Sequence, residues 1–470
     1  MSEKPATLIA DLTACDCLAL FKSRELSPVE VVDDCLQRID EANRELNAFC
    51  FVAFEQAKAR ARSSEFRWMR GEPVGLLDGV PVTLKDTELS RGMPTRWGSK
   101  ATSGDGPWDI DAPAAARLRE AGAVILGKTT TPEFGWKGVT DSPLFGITRN
   151  PWNPNLTPGG SSGGAAVAAA LNLGFLHQAG DGGGSIRIPA SFTGTFGFKP
   201  TFGYVPQWPL SAFTTLSHTG PITRTVADAA LMMRVIAQKD VRSGNAGPEY
   251  PFSEVPLAST LRGLRVAYSR DFGYVDVSTD ILDLTDAAAQ KLESLGAEVI
   301  ETNPSFDDYR KTFNTFWYAG AARLLNRLNK AQRGVLEAGF LEYAEQGLSL
   351  TLSDYQDAQE ARFKLSAQMA AFHQKFDLLI TPTMPVAPFE VGLNNPHGRQ
   401  SFSPFTPTFN LTQQPAASLP CGLDRNGLPV GLQLVGARYN DLTVLSAARV
   451  LESALGRLVF PRIARGPIRN

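Results

Sequence analysis

The sequence predicts an α/β protein, one large domain over residues 1–470 with a mixed sheet set among helices. Three observations predict it: strand-like and helix-like patterns alternate along the chain, no low-complexity linker divides it, and no internal repeat is present. The composition is that of an ordinary globular chain, 43% hydrophobic and 20% charged.

The elements follow in order. Ser27-Pro28-Val29-Glu30 reads as a capping box with proline at the first helical position, and it opens an amphipathic helix over 27–46. A second helical stretch runs to about Arg70, so residues 1–70 are expected to form a helical layer, one that would suit a homodimer contact. From Leu76 the period changes: Val80, Val82 and Leu84 alternate as a strand that ends at Lys85-Asp86. Ala112 to Ala121 is helical in pattern, and Ala123 to Leu126 is a short buried strand. Residues 163–173 read as a small-residue helix, and Phe175 to Ala179 as a strand running into Gly180-Asp181-Gly182-Gly183-Gly184. Then come a strand at 264–269, a helix near 280–295, a strand at 297–301 and long helical sequence over 306–374. A strand at 377–381, a hairpin turning at Asn426-Gly427 and a helix over 441–454 complete the pattern.

Several function classes are excluded early. A formal net charge of −2 gives no long-range attraction to nucleic acid or an anionic membrane. No run of about 18 apolar residues occurs, and the polar N-terminus is unlike a signal peptide. Five cysteines, four of them in helix-like N-terminal sequence, are no disulfide framework and fit a reduced, cytoplasmic setting. Cys15-x-Cys17 has no second Cys or His pair at ligand spacing, so no metal is expected. Gly122-AVIL-Gly127-Lys128-Thr129 matches a phosphate loop letter for letter, but its four middle residues are themselves strand formers. Gly159-Gly160-Ser161-Ser162-Gly163 fits the G-x-S-x-G elbow of Ser-His-Asp esterases, yet it follows a Pro- and Asn-rich loop rather than a strand. His177, His218, His373 and His397 keep that alternative open by count.

Two glycine-rich serine segments, around Ser161 and Ser185, carry the remaining signal. Glycine lets a chain approach a substrate closely, and successive N–H groups in Gly182-Gly183-Gly184-Ser185 could converge on one cavity, as an oxyanion hole requires. Alone, either segment reads as a flexible surface loop. Taken with GVPVTLKD at 79–86, PGGSSGG at 158–164 and GDGGGSIRIPA at 180–190, the chain closely resembles the amidase signature family. GAVILGKTTTPEF (122–134), GFKPTFGYVP (197–206) and NGLPVGLQLVG (426–436) extend the resemblance over about residues 15 to 455. The resemblance implies an α/β/α fold with a mixed, mostly parallel twisted sheet covered by helices. Residues 71–235 would be the core with the catalytic motifs, and 236–470 the rest of the sheet and the substrate-pocket helices. It implies Ser185 as nucleophile, Ser161 as bridging serine held by a cis Gly160–Ser161 peptide, Lys85 as base, and the N–H groups of Gly182, Gly183 and Gly184 as oxyanion hole. Asp181 and Arg187, flanking the nucleophile, are read as structural support with Gly160. Phe134, Gly135, Trp136, Trp208 and Trp317 are the candidate substrate contacts; the four aromatics read either as core or as pocket wall, and Trp136 and Trp208, in loop-like sequence, are favoured as lining.

The implied chemistry is hydrolysis of an amide, or of a carbamate (urethane) or ester, through a serine acyl-enzyme without cofactor. With no histidine in the motifs, lysine must take the proton. An ordinary lysine is protonated at neutral pH, so Lys85 is expected to be buried, away from a close carboxylate, and largely neutral. The family also contains the glutamine-hydrolysing amidotransferase subunit, the second reading. Gly182, Gln414 and His177-Gln178 depart from the commonest family pattern, at positions that could reshape the pocket.

Overall fold

Capping chemistry sets the first elements. Thr13 and Asp16 exchange side-chain and backbone hydrogen bonds at the start of α1 (Ala14–Ser23), and Ser27 and Glu30 share in a second capping box at α2 (Pro28–Leu46). The computed structural model describes residues 8–245, 247–248, 257–306, 308–395 and 402–462. After α2 come β1 (Phe49–Val52), α3 (Phe54–Arg70), β2 (Pro81–Lys85), α4 (Pro113–Glu120) and β3 (Val124–Thr129). A two-strand ladder, β4 (Asp141–Ser142) and β5 (Gly146–Ile147), precedes α5 (Gly163–Ala170), β6 (Leu176–Asp181), α6 (Arg187–Thr193) and β7 (Phe196–Lys199). Next are β8 (His218–Thr223), α7 (Val226–Ile236), β9 (Arg265–Tyr268), α8 (Thr279–Ser294) and β10 (Glu298–Glu301). The chain continues through α9 (Arg310–Leu325), α10 (Lys330–Arg333), α11 (Ala338–Leu348) and α12 (Leu352–Phe372). It ends with β11 (Leu378–Pro382), α13 (Thr408–Leu411), β12 (Ala416–Leu423), β13 (Pro429–Gly436) and α14 (Asp441–Leu455).

Among the described residues, eleven strands form one mixed sheet in the order β1-β3-β2-β6-β8-β7-β12-β13-β11-β9-β10. Its parallel pairing is concentrated in two blocks, β3-β2-β6 and β11-β9-β10. The strands between these blocks pair antiparallel, as β1 does with β3 at the edge. Side-chain alternation puts successive residues on opposite faces. Thus Val266 and Tyr268 of β9, and Leu378 and Ile380 of β11, join one hydrophobic cluster, while Ala267 and Leu379 join another. Both faces of the sheet are therefore covered.

Three differences from the sequence reading have physical causes. Phe49-Cys50-Phe51-Val52 is a strand inside the expected helical layer, short enough that the helices around it dominate the pattern. β7 and β8 also escape the reading, since Gly220-Pro221 interrupts β8; a Cβ on Gly220 would lie 2.1 Å from the Phe198 carbonyl, so close pairing needs the glycine. The helical sequence over 306–374 is divided by new caps, Asn329 at α10 and Thr351 with Asp354 at α12.

Candidate active site

Strands β2 and β6 lie side by side and parallel, with Val82 opposite Leu176 and Thr83 opposite His177. Their last residues, Lys85 and Asp181, consequently emerge at the same edge of the sheet, where open α/β sheets hold their ligands. The Gln178 side chain accepts the Lys85 backbone N–H at 3.0 Å and pins the strand end. From there the Lys85 amine reaches 2.7 Å to the Ser161 hydroxyl and 2.9 Å to that of Ser162. Lys85 is only 3% exposed. Burial pulls its amine down from the ordinary lysine range to about 7, with Asp181 working the other way. Among the described residues no carboxylate forms an ion pair with it.

The serine segments meet through Ser162. Its hydroxyl donates to the Gly180 carbonyl at 3.0 Å, and its N–H donates to the Ser185 carbonyl at 3.2 Å. The Gly160–Ser161 peptide is cis, and Gly160 is packed so closely that a Cβ would lie 2.6 Å from the Val139 backbone. A Cβ on Gly135, at φ +69°, would stand 3.3 Å from the Ser161 hydroxyl. In this resting arrangement the Ser161 and Ser185 hydroxyls share no hydrogen bond among the described residues; backbone joins the two segments.

The Ser185 loop is held by a buried ion pair. The Arg187 guanidinium donates to both Asp181 carboxylate oxygens at 3.0 Å, to the Thr406 carbonyl at 3.0 Å, to Gln433 at 2.8 Å and to Asn410 at 2.6 Å. Although burial alone would raise the Asp181 pKa, Arg187 holds the carboxyl well below the usual range. The same carboxylate accepts the N–H of Gly184 at 2.7 Å and of Ile186 at 3.2 Å. The Gly184 N–H is thus already committed and does not fit the oxyanion role expected of it. The N–H groups of Gly182 and Gly183 donate no hydrogen bond among the described residues, while the Gly183 carbonyl accepts from the Thr406 hydroxyl at 2.7 Å. Trp317 lies over Gly182 and Phe313 over Gly183, within 3.0 and 2.7 Å of where a Cβ would stand. Trp317 is stacked between Phe213 and Phe313, with ring centroids at 3.9 and 5.2 Å.

A cavity of about 350 Å³ opens beside this edge, walled by Trp97, Phe134, Trp208 and Phe213 and reaching Gln178, Gly180 and Glu88. A larger void, between the described chain ends near Leu8, Arg38 and Phe460, has no catalytic-motif residue in its walls. The histidines do not serve the serines. His177 meets Thr83 and the Gly174 carbonyl, His218 donates from Nδ1 to the Leu216 carbonyl, His373 pairs with the Phe376 carbonyl, and His397 lies outside the described residues. Ser161 follows a loop, so the elbow geometry is absent as well. Lys128 of the phosphate-loop look-alike is buried within β3 and points its amine at Thr95 and the Glu88 carbonyl.

The model of the Amidase family matches residues 30–445. The chain belongs to the amidase signature family. It is an amidase, an enzyme acting on C–N bonds other than peptide bonds. The acylamidase of Rhodococcus erythropolis is 35% identical over 459 residues, covering 94% of this amidase and 95% of the relative. A glutamyl-tRNA(Gln) amidotransferase subunit from Prochlorococcus marinus (strain MIT 9211) is 33% identical over 470 residues, covering 92% and 95%. The crystal structure of a bacterial aryl acylamidase superposes with a TM-score of 0.87 at 30% identity, covering 94% and 96% of the two chains.

The expected pocket residues of the amidase fall into two groups. Phe134 and Trp208 line the cavity, whereas Gly135, Trp136 and Trp317 are not in its walls. Trp136, favoured as a lining residue, is instead buried in an aromatic cluster, its indole donating to Glu337 at 3.0 Å and its carbonyl receiving the Trp317 indole at 3.1 Å. Glu337 on the distant helical segment draws that ring inward, a partner 201 positions away that no local pattern announces. Ser162, Phe313 and Glu88 were missed. Ser162 had a signal, a second hydroxyl beside Ser161; Phe313 and Glu88 had none.

Proposed function

We propose that this amidase hydrolyses a carboxylic amide through an acyl-enzyme on Ser185, with Lys85 as base and Ser161 as proton relay. In this mechanism the neutral Lys85 amine takes the Ser161 proton as Ser161 takes that of Ser185. The Ser185 oxygen attacks the amide carbon, and the N–H groups of Gly182 and Gly183 meet the resulting oxyanion. Ser161 then returns a proton to the leaving nitrogen, the C–N bond breaks, and water hydrolyses the acyl-enzyme by the same relay in reverse. Carbamates and esters fall within the same chemistry. The observation that carries the reading is the buried Lys85 amine, 2.7 Å from a serine hydroxyl and free of any ion pair among the described residues.

The test is a serine-directed fluorophosphonate probe together with a panel of chromogenic amides, carbamates and esters. Labelling and turnover lost in Ser185→Ala and in Lys85→Ala support the proposal; turnover surviving Lys85→Ala defeats it. A second reading, glutamine hydrolysis within an amidotransferase, is favoured by the 33% identity to an amidotransferase component. The aromatic walls of the cavity and the 35% identity to an acylamidase favour the free-standing hydrolase. Glutamine assayed against aryl amides on the purified chain separates the two. A cytoplasmic setting belongs to the same proposal, supported by five free cysteines; no helix among the described residues is long and apolar enough to cross a membrane. A homodimer through the N-terminal layer would cover Phe66 and Met69, exposed on α3, and size-exclusion chromatography tests it.

A further inference from the structure

Glu88 has no part in the mechanism above, yet it stands in the wall of the cavity. Its backbone is fixed, because the Lys128 amine binds the Glu88 carbonyl and the Thr95 hydroxyl. Its carboxylate accepts from Gln178 Nε2 at 3.2 Å. Gln178 in turn holds the Lys85 N–H, so the carboxylate sits two hydrogen bonds from the strand that carries the base. A carboxylate offers about four acceptor positions, and this contact takes one.

What the carboxylate lacks is a cation. Among the described residues no ion pair ends on Glu88, because the amine of the nearest lysine is turned to a carbonyl and a hydroxyl instead. Burial accordingly pushes its carboxyl up to about 7, with Lys128 only partly offsetting. Arg323 and Arg327, the cationic side chains of the cavity wall, belong to α9 and the turn after it; Arg323 is bonded to the Ser211 carbonyl. A half-buried carboxylate beside aromatic walls, without its own counter-ion, is suited to an incoming donor.

Resting on the amide-hydrolase reading, we propose that Glu88 is a specificity-determining residue whose carboxylate receives an ammonium or comparable N–H donor carried by the substrate. The substrate class is then an amide with an aromatic or apolar body and a donor group that reaches the Glu88–Gln178 end of the cavity.

Equilibrium binding tests this without requiring turnover. Two matched pairs are titrated calorimetrically into the full chain carrying Ser185→Ala. One pair places the charge on the acyl side, 4-(aminomethyl)benzanilide against 4-methylbenzanilide. The other places it on the amine side, N-[4-(aminomethyl)phenyl]acetamide against N-(4-methylphenyl)acetamide. In at least one pair the ammonium member is expected to bind about tenfold more tightly, the scale of one charge-assisted hydrogen bond. Adding Glu88→Gln abolishes that preference and leaves the methyl members' Kd unchanged; Glu88→Asp, which keeps the charge on a shorter arm, retains part of it. Equal weakening of both members, accompanied by a lower Tm, would reduce Glu88 to a support for the Gln178 side chain and overturn the proposal. Absence of any ammonium preference in the parent would overturn it too. If the wild-type chain turned over none of these amides while the Glu88-dependent preference persisted, the catalytic proposal would fail and this one would stand.

Discussion

Replacing Lys85 by methionine is expected to make the protein more stable while stopping catalysis. The ordinary lysine value is near 10.5, and burial brings Lys85 to about 7. At pH 7 the unfolded chain holds this amine fully protonated and the folded chain only half so. The difference represents about 4 kcal/mol of folding free energy forgone, at about 1.4 kcal/mol per pH unit. Methionine is unbranched, fills nearly the same volume and carries no charge to desolvate. It does lose the two hydrogen bonds to Ser161 and Ser162, worth about 1 kcal/mol each, so the net gain is roughly 2 kcal/mol. The sign is testable by pH. Between about 7 and 10.5 the unfolded state binds more protons than the folded one, so wild-type stability rises with pH across that window and the gap to Lys85→Met closes and then reverses. Urea denaturation at pH 7 and pH 10, with amide hydrolysis measured alongside, reads both effects. A variant with a lower urea midpoint at pH 7, or one that still turns over substrate, would refute the argument that this lysine is held neutral for catalysis.

Other outcomes follow from the same geometry. The kcat/KM of the wild-type enzyme should rise about tenfold per pH unit up to pH about 7, where Lys85 loses its proton, and level off above; a flat profile from pH 5 to 9 contradicts this. Arg187→Met leaves the Asp181 carboxylate buried without its cation and should cost about 3–5 kcal/mol by thermal or chemical denaturation, partly restored by adding Asp181→Leu. Gly184→Ala places a Cβ 2.3 Å from the Thr406 hydroxyl at φ +131°, and should lower stability by about 2 kcal/mol or more and abolish probe labelling of Ser185. A chelator should leave the hydrolysis rate unchanged, since no step of the proposed mechanism uses a metal.

Much of this site was legible before any coordinates. The alternation of Val80, Val82 and Leu84 located the strand that ends at Lys85, and the need for a base without histidine required that lysine to be buried. Helix starts were legible wherever a hydroxyl or amide side chain answers the backbone, as at Ser27. What escaped depends on partners far apart in sequence. β7 and β8 exist because neighbouring strands accept them, with Gly220 lying against the Phe198 carbonyl. The Gly184 N–H is taken by an Asp181 carboxylate that also accepts from Asn410, 229 positions away. Trp136 looked like a loop residue, and only Glu337 explains why it is enclosed.

The grip on Arg187 has a consequence for synthesis. By residue 185 the growing polypeptide already contains Lys85, Ser161 and Ser185, the triad of the proposed reaction. Its guanidinium, however, is satisfied only when positions 406, 410 and 433 have arrived. A nascent or prematurely terminated chain is therefore expected to be silent, and hydrolytic competence to switch on only as the last strands close against the first.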